Sequence, residues 1–265
     1  MRVGHQTYSW EMQGDRWLGS PEDILEAVAA AGYQGVEFSN VMIGDFWERP
    51  QEFEQALAKR KLALAAFAYS RVGFTEPATC EEDLAGAEKA LRFAARFSVP
   101  VGLAGPSSPS RDDYERKFAH ACRFYSEVAE RGRKLGVAVA VHPHSHHTSL
   151  VLTGEEYDRL LAATEASGLL FNPDTGHIIR GGQDLLGCFL RHRERIIHVH
   201  CKDVDVEGRW QPMGKGVCDF PGLFRWLDET GYRGWLICEE ESDLVWQDLP
   251  GAMTQNRAYF RALGY

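Results

Sequence analysis

Short apolar runs rich in Val, Ile, Leu and Ala recur along the chain, and between them lie longer stretches whose apolar positions fall on one helical face. RVGHQTY reads as the opening strand. Ser20-Pro21-Glu22-Asp23 then starts a helix with a capping serine, a proline in the first turn and early acids. Ile24, Ala27, Val28 and Ala31 line its buried face, and Gly32 ends it. GVEFSN is the second strand, Pro50 to Arg60 the next helix and LALAAFAYS the third strand. Thr79 with Glu82 predicts a capping box for a helix running towards Phe97. VGLAG follows, and Ser110 with Asp113 opens a long helix that ends near Leu135-Gly136. Four further apolar runs, VAVAVHPHSHH, LLFNPDTGH, IIHVHCKD and WLICEEESD, alternate with helices to the C-terminus. Runs this continuously apolar suit strands buried on both faces of a parallel sheet. Strict strand–helix alternation without a long linker predicts one domain over 1–265, a single (β/α)8 TIM barrel rather than a doubly wound sheet.

The polar residues that break this pattern collect where the last four strands end. Side chains alternate along a strand, so His142 shares a face with His144, Asn172 with Asp174, His198 with His200, and Glu239 with Glu241. Barrel enzymes place their chemistry at the C-terminal ends of strands, and these pairs stand there. Each has a structural alternative. A lone strand histidine is more often a packing residue than a ligand, Asp174-Thr175-Gly176-His177 could be a helix cap, and Glu239 to Glu241 a solvated strand end. Four strand ends carrying such residues together favour a site. His146 and His147, beyond the strand, read as rim or solvated groups. The Gly214-Lys215-Gly216 turn is too short for a phosphate loop and is expected to be a flexible active-site loop.

Composition narrows the chemistry. The formal charge of −9 provides no basic footprint for nucleic acid. No apolar run reaches membrane-spanning length, and Met1 to Gln13 lacks the features of a signal peptide, so a cytoplasmic protein without membrane partners is expected. The six cysteines form no CxxC pair and read as reduced packing residues; Cys201 and Cys238 should point away from the polar cup. Two imidazoles and two carboxylates make a hard-to-borderline divalent site, for which Mn²⁺ leads the expectation and Co²⁺, Fe²⁺, Zn²⁺ and Mg²⁺ also suit.

With HPH, DTGH, HVHCKD, the GKGVCDFP segment and GWLICEE in these places, the chain resembles the xylose-isomerase-like barrel family of sugar isomerases, epimerases and lyases, its motifs being most similar to those of inosose dehydratases. The resemblance implies metal ligands at His142, Asp174, His200 and Glu239, with His177, Lys202 and Glu241 as substrate or acid/base groups. His144 joins Glu241 as candidate base, and Glu37 and Lys215 are expected substrate contacts. His142 stands where epimerases of the family carry a glutamate that binds metal and shuttles protons, which disfavours the two-carboxylate mechanism. The expected activity is that of a lyase or dehydratase acting on a polyhydroxylated ketone, a keto-cyclitol such as an inosose or a 3-keto sugar. Alternatives are a ketose epimerase or isomerase, a subunit cleaving 3-keto-glucosides including C-glycosides, and a non-catalytic sugar-binding barrel. The expected partner is a small carbohydrate or cyclitol, with association into a homo-oligomer or with a partner subunit allowed.

Overall fold

The computed structural model describes residues 1–71 and 73–265. In chain order the elements begin β1 (Arg2–Gln6), α1 (Tyr8–Glu11), α2 (Pro21–Ala30), β2 (Gly35–Ser39), α3 (Pro50–Lys59) and β3 (Ala63–Tyr69). They continue through α4 (Cys80–Phe97), β4 (Val101–Ala104), α5 (Tyr114–Lys134), β5 (Val139–His142), α6 (Gly154–Ala163), β6 (Leu170–Phe171), α7 (Thr175–Arg180) and α8 (Leu185–His192). The chain ends with β7 (Val199–Cys201), β8 (Asp203–Val204), β9 (Trp210–Gln211), α9 (Phe220–Glu229), β10 (Trp235–Cys238), α10 (Leu244–Gln247) and α11 (Leu249–Ala262).

Two compact units divide the chain, one formed by Met1–Ala65 with His198–Tyr265 and the other by Ala66–Ile197. In the first, β2 pairs with β1, β1 with β10 and β10 with β7, all parallel. In the second, β3, β4, β5 and β6 pair successively, again parallel. Burial follows the apolar runs: every residue of β5, β7 and β10 is buried. Ladder hydrogen bonds inside these layers stabilise largely because an unpaired buried N–H or C=O would be costly.

Helix starts test the sequence reading directly. Ser20 forms the expected cap, with Asp23 bonding back to the Ser20 backbone to complete a capping box. The box expected at Thr79 is not made: Glu82 turns to Arg71, and the Thr79 hydroxyl donates to Asp83 Oδ2 at 2.8 Å. A guanidinium within reach competes better for a carboxylate than a backbone N–H does. The long helix starts at Tyr114 after Asp113, which adopts a left-handed backbone (φ 54°) and makes no side-chain cap. The antiparallel hairpin of β8 and β9 has no counterpart in the sequence reading.

The same hairpin region fixes the loop that carries Lys215. Asp203 is 1 % exposed, and its carboxylate accepts from the backbone N–H groups of Val204 (2.9 Å), Gly214 (2.9 Å), Gly216 (2.8 Å) and Cys218 (3.2 Å). The loop expected to be flexible is therefore tied down at both glycines. A side chain at Gly216 would meet Asp203 Oδ1 and the Val204 carbonyl at 2.3 Å, and Gly214 holds φ +77°.

Candidate active site

In the first unit the site is built on the register Ile237↔His200 and Cys238↔Cys201, which sets the end of β10 beside the end of β7. His200 Nδ1 lies 2.8 Å from Glu239 Oε2, and its Nε2 lies 3.1 and 3.0 Å from the two oxygens of Glu37. His198 Nε2 approaches Glu37 Oε2 at 2.8 Å. Lys202, 1 % exposed, bonds Glu241 Oε1 and stands 3.5 Å from Glu239 Oε2. Burial would depress the His200 pKa, but the charge of Glu37 and the hydrogen bond and charge of Glu239 reverse this and hold it near 10. Burial would likewise raise Glu37, and the charges of His200 and His198 overcome it, leaving its pKa at about 2.

This arrangement fits a divalent cation. Glu37, Glu239 and Glu241 are set against Lys202 and the extra proton of His200; displacing that proton leaves two uncompensated negative charges. Glu37 already bonds the far nitrogen of His200, which is how an outer carboxylate orients a metal-binding imidazole. Glu37, expected as a substrate contact, is delivered by β2 to a fully buried position, where its oxygens accept from imidazoles. The Cys201 and Cys238 side chains are buried, and the Cys238 thiol, raised by burial, meets Tyr33 and Asn256. No thiolate competes for the ion.

The second unit brings together His142, His144, Asp174 and His177. His142, the last residue of β5, has Nδ1 3.4 Å from the Asn172 carbonyl, a contact that turns Nε2 into the lone-pair nitrogen. Asp174 is both cap and candidate ligand: its Oδ1 accepts from the His177 backbone N–H at 2.7 Å as α7 begins. The Ser145 backbone N–H donates to His177 Nδ1 at 2.9 Å, with Ser145 Oγ 2.7 Å from the same nitrogen. A backbone N–H can only donate, so Nδ1 is the acceptor and a neutral His177 carries its proton on Nε2. The ring centres of His144 lie 4.8 Å from His142 and 5.3 Å from His177. His146, expected at the rim, joins this group 5.2 Å from His177, whereas His147 is exposed.

Two residues without an expected role in the site, Glu11 and Tyr8, border the first unit's cluster. Glu11, at the end of α1, accepts a hydrogen bond from Ser39 Oγ at the end of β2. Burial lifts its pKa to about 7 against the lowering effect of that bond, and the nearby Glu239 charge adds to the rise. Burial together with the Glu241 charge pushes Tyr8 up to about 12. Lys215 is exposed on the clipped loop, its N–H bonded to Pro212 O.

The model of the xylose isomerase-like TIM barrel family matches residues 25–263, nearly the whole chain. The chain belongs to this family. The family's TIM-barrel fold is the one expected from the sequence. Rhizopine catabolism protein MocC of Rhizobium meliloti is 41% identical over 140 residues, a match covering 46% of this chain and 42% of that protein. Inosose dehydratase of Lacticaseibacillus casei is 28% identical over 84% of this chain and 82% of its own length. Among solved structures, the IOLI protein with a bound zinc atom superposes with a TM-score of 0.82 at 12% identity, covering 99% of this chain and 98% of the other. No helix among the described residues is long and apolar enough to cross a membrane.

Proposed function

We propose that this xylose isomerase-like barrel is a divalent-metal-dependent dehydratase of a polyhydroxylated ketone, with a keto-cyclitol of the inosose type as substrate. The observation that carries the reading is the Lys202–Glu241 pair lodged against Glu239, a proton-handling couple in contact with a candidate metal ligand. Inosose dehydratases covering most of the chain support the substrate class. The ligands in this reading are His142, Asp174, His200 and Glu239. Mn²⁺ is our first choice of ion; zinc in the IOLI protein and magnesium in a Mycobacterium smegmatis barrel support the divalent class. When bound, the ion supplies Lewis-acid polarisation of a ketone.

The remaining chemistry belongs to side chains. Glu241 takes the proton from the carbon beside the ketone, with His144 the other candidate, and Lys202 holds the Glu241 carboxylate in its basic form. The β-carbon then loses its hydroxyl, which leaves as water on receiving a proton from His177 Nε2 or Lys202. Glu37 positions His200, and Lys215 stays outside the proton path as a substrate contact. A histidine at the end of β5 leaves the proposed ligand set without a second proton-shuttling glutamate, which favours elimination over epimerisation. The test is to incubate Mn²⁺-loaded enzyme with inososes, 3-keto sugars and free ketoses and identify the products. Dehydration of an inosose is expected; epimerisation or aglycone release without loss of water would overturn the reading.

A further inference from the structure

The hairpin of β8 and β9 bounds a cavity of about 340 Å³ lined by Arg209, Trp210, Gln211, Glu241, Ser242 and Asp243. That volume lies at the lower end of the range for small-molecule sites, the size class of a single ring rather than of a nucleotide. One wall is the half-buried Trp210 indole, whose ring centre lies 4.8 Å from Lys202 Nζ. The floor is Glu241, itself bonded to Lys202. Arg209, the cation in the lining, is already engaged by Asp205 at 2.8 Å and by Glu207. The remaining charged lining groups, Glu241 and Asp243, are acids. A flat apolar surface beside acceptors suits a ring with one C–H face and several hydroxyl donors, and an anionic substituent would meet carboxylates.

We propose that this cavity is a specificity subsite in which Trp210 stacks on the C–H face of a neutral, unphosphorylated polyol ring while Asp243 and Gln211 accept from its hydroxyls. The assignment rests on the dehydratase reading for the choice of ring and deepens it. It makes the hairpin a reader of ring shape and charge, and it leaves proton transfer to Glu241. Because the wall is anchored through Asp203 and its four backbone N–H partners, the indole is held ready before substrate arrives.

The test uses Mn²⁺-loaded full-length protein and myo-inositol, a cyclitol with no ketone and therefore inert to dehydration, with binding measured by calorimetry. Trp210→Ala is expected to weaken binding at least about tenfold and Trp210→Phe to restore it to within about threefold, both with metal content unchanged. In turnover of whichever ketone the parent dehydrates, the same loss should fall on KM rather than kcat. Parent-like binding by Trp210→Ala, no binding by the parent, or binding of an inositol monophosphate as tight as that of myo-inositol would each overturn the subsite. A parent that binds myo-inositol through Trp210 yet dehydrates no ketone would instead sink the dehydratase reading and leave the subsite standing.

Discussion

The two units hold their polar clusters in opposite ways. In the first unit Glu37, Glu239 and Glu241 are buried against His198, His200 and Lys202, and the cluster is a set of charges that fix one another. In the second, His142, His144, His146 and His177 gather ring against ring, and a hydrogen bond to the Asn172 carbonyl and one from the Ser145 N–H choose which nitrogen of His142 and of His177 keeps its lone pair. Placing a carboxylate is a matter of compensating its charge; placing a neutral imidazole is a matter of selecting its tautomer. The first kind of cluster is sensitive to pH and to loss of a partner. The second should be sensitive to small changes in hydrogen-bond geometry.

The largest expected effect strikes both clusters at once. At two of the proposed ligands, Asp174→Ala and Glu239→Ala should each remove bound metal and lower turnover by more than about 10³-fold. Metal analysis decides it, since stoichiometric metal in both variants would break the ligand assignment. Next in size, Glu241→Gln should retain metal and slow exchange of the substrate α-proton with solvent deuterium by about 10²–10⁴-fold. Exchange at the parent rate would pass the role of base to His144, and so to the second unit.

Stability separates the clusters further. Glu37→Gln leaves the buried His198 without its carboxylate and His200 with Glu239 alone, and should destabilise the metal-free protein by up to about 3–5 kcal/mol in denaturant titrations. Glu37 has its pKa lowered from 4.5 to about 2, so its contribution is full above 4.5 and is lost as pH falls towards 2. For His200, raised from 6.5 to about 10, the contribution is full below 6.5 and is lost as pH rises through 10. The metal-free parent should therefore gain most from this pair between pH 4.5 and 6.5. A pH–stability profile unchanged by Glu37→Gln would refute the charge account. The smallest effect is reserved for the tautomer account. Ser145→Ala keeps the backbone donor and removes only the hydroxyl, so kcat should fall about five- to tenfold, the worth of roughly 1 kcal/mol, with stability and metal content near those of the parent.

The strand ends were legible because a parallel barrel imposes two patterns a sequence can carry: unbroken Val/Ile/Leu runs and a period of two. His142, Asp174, His200 and Glu239 each terminate such a run, and chemistry at strand ends is a property of the fold. What escaped is what depends on partners distant in sequence. Ser145 reaches His177 across 32 positions and Ser39 reaches Glu11 across 28, with no local spacing to announce either. Glu37 was legible as an acid within the second strand, but its partners, His198 and His200, lie far along the chain. Thr79 and Glu82 satisfied a local capping rule that Arg71 and Asp83 then overrode. The hairpin was hidden for a related reason, since its two-residue strands are too short for any periodicity to register.

The four N–H groups gathered on Asp203 give Lys215 and its neighbours a further property. A segment pinned at this many points has little conformational freedom left to surrender, so opening and closing of this loop should not gate the arrival of substrate or the departure of product. Turnover limited by chemistry would be indifferent to the viscosity of the medium. In that case the loop acts as masonry, and the rate of the enzyme is set by how fast protons move within it.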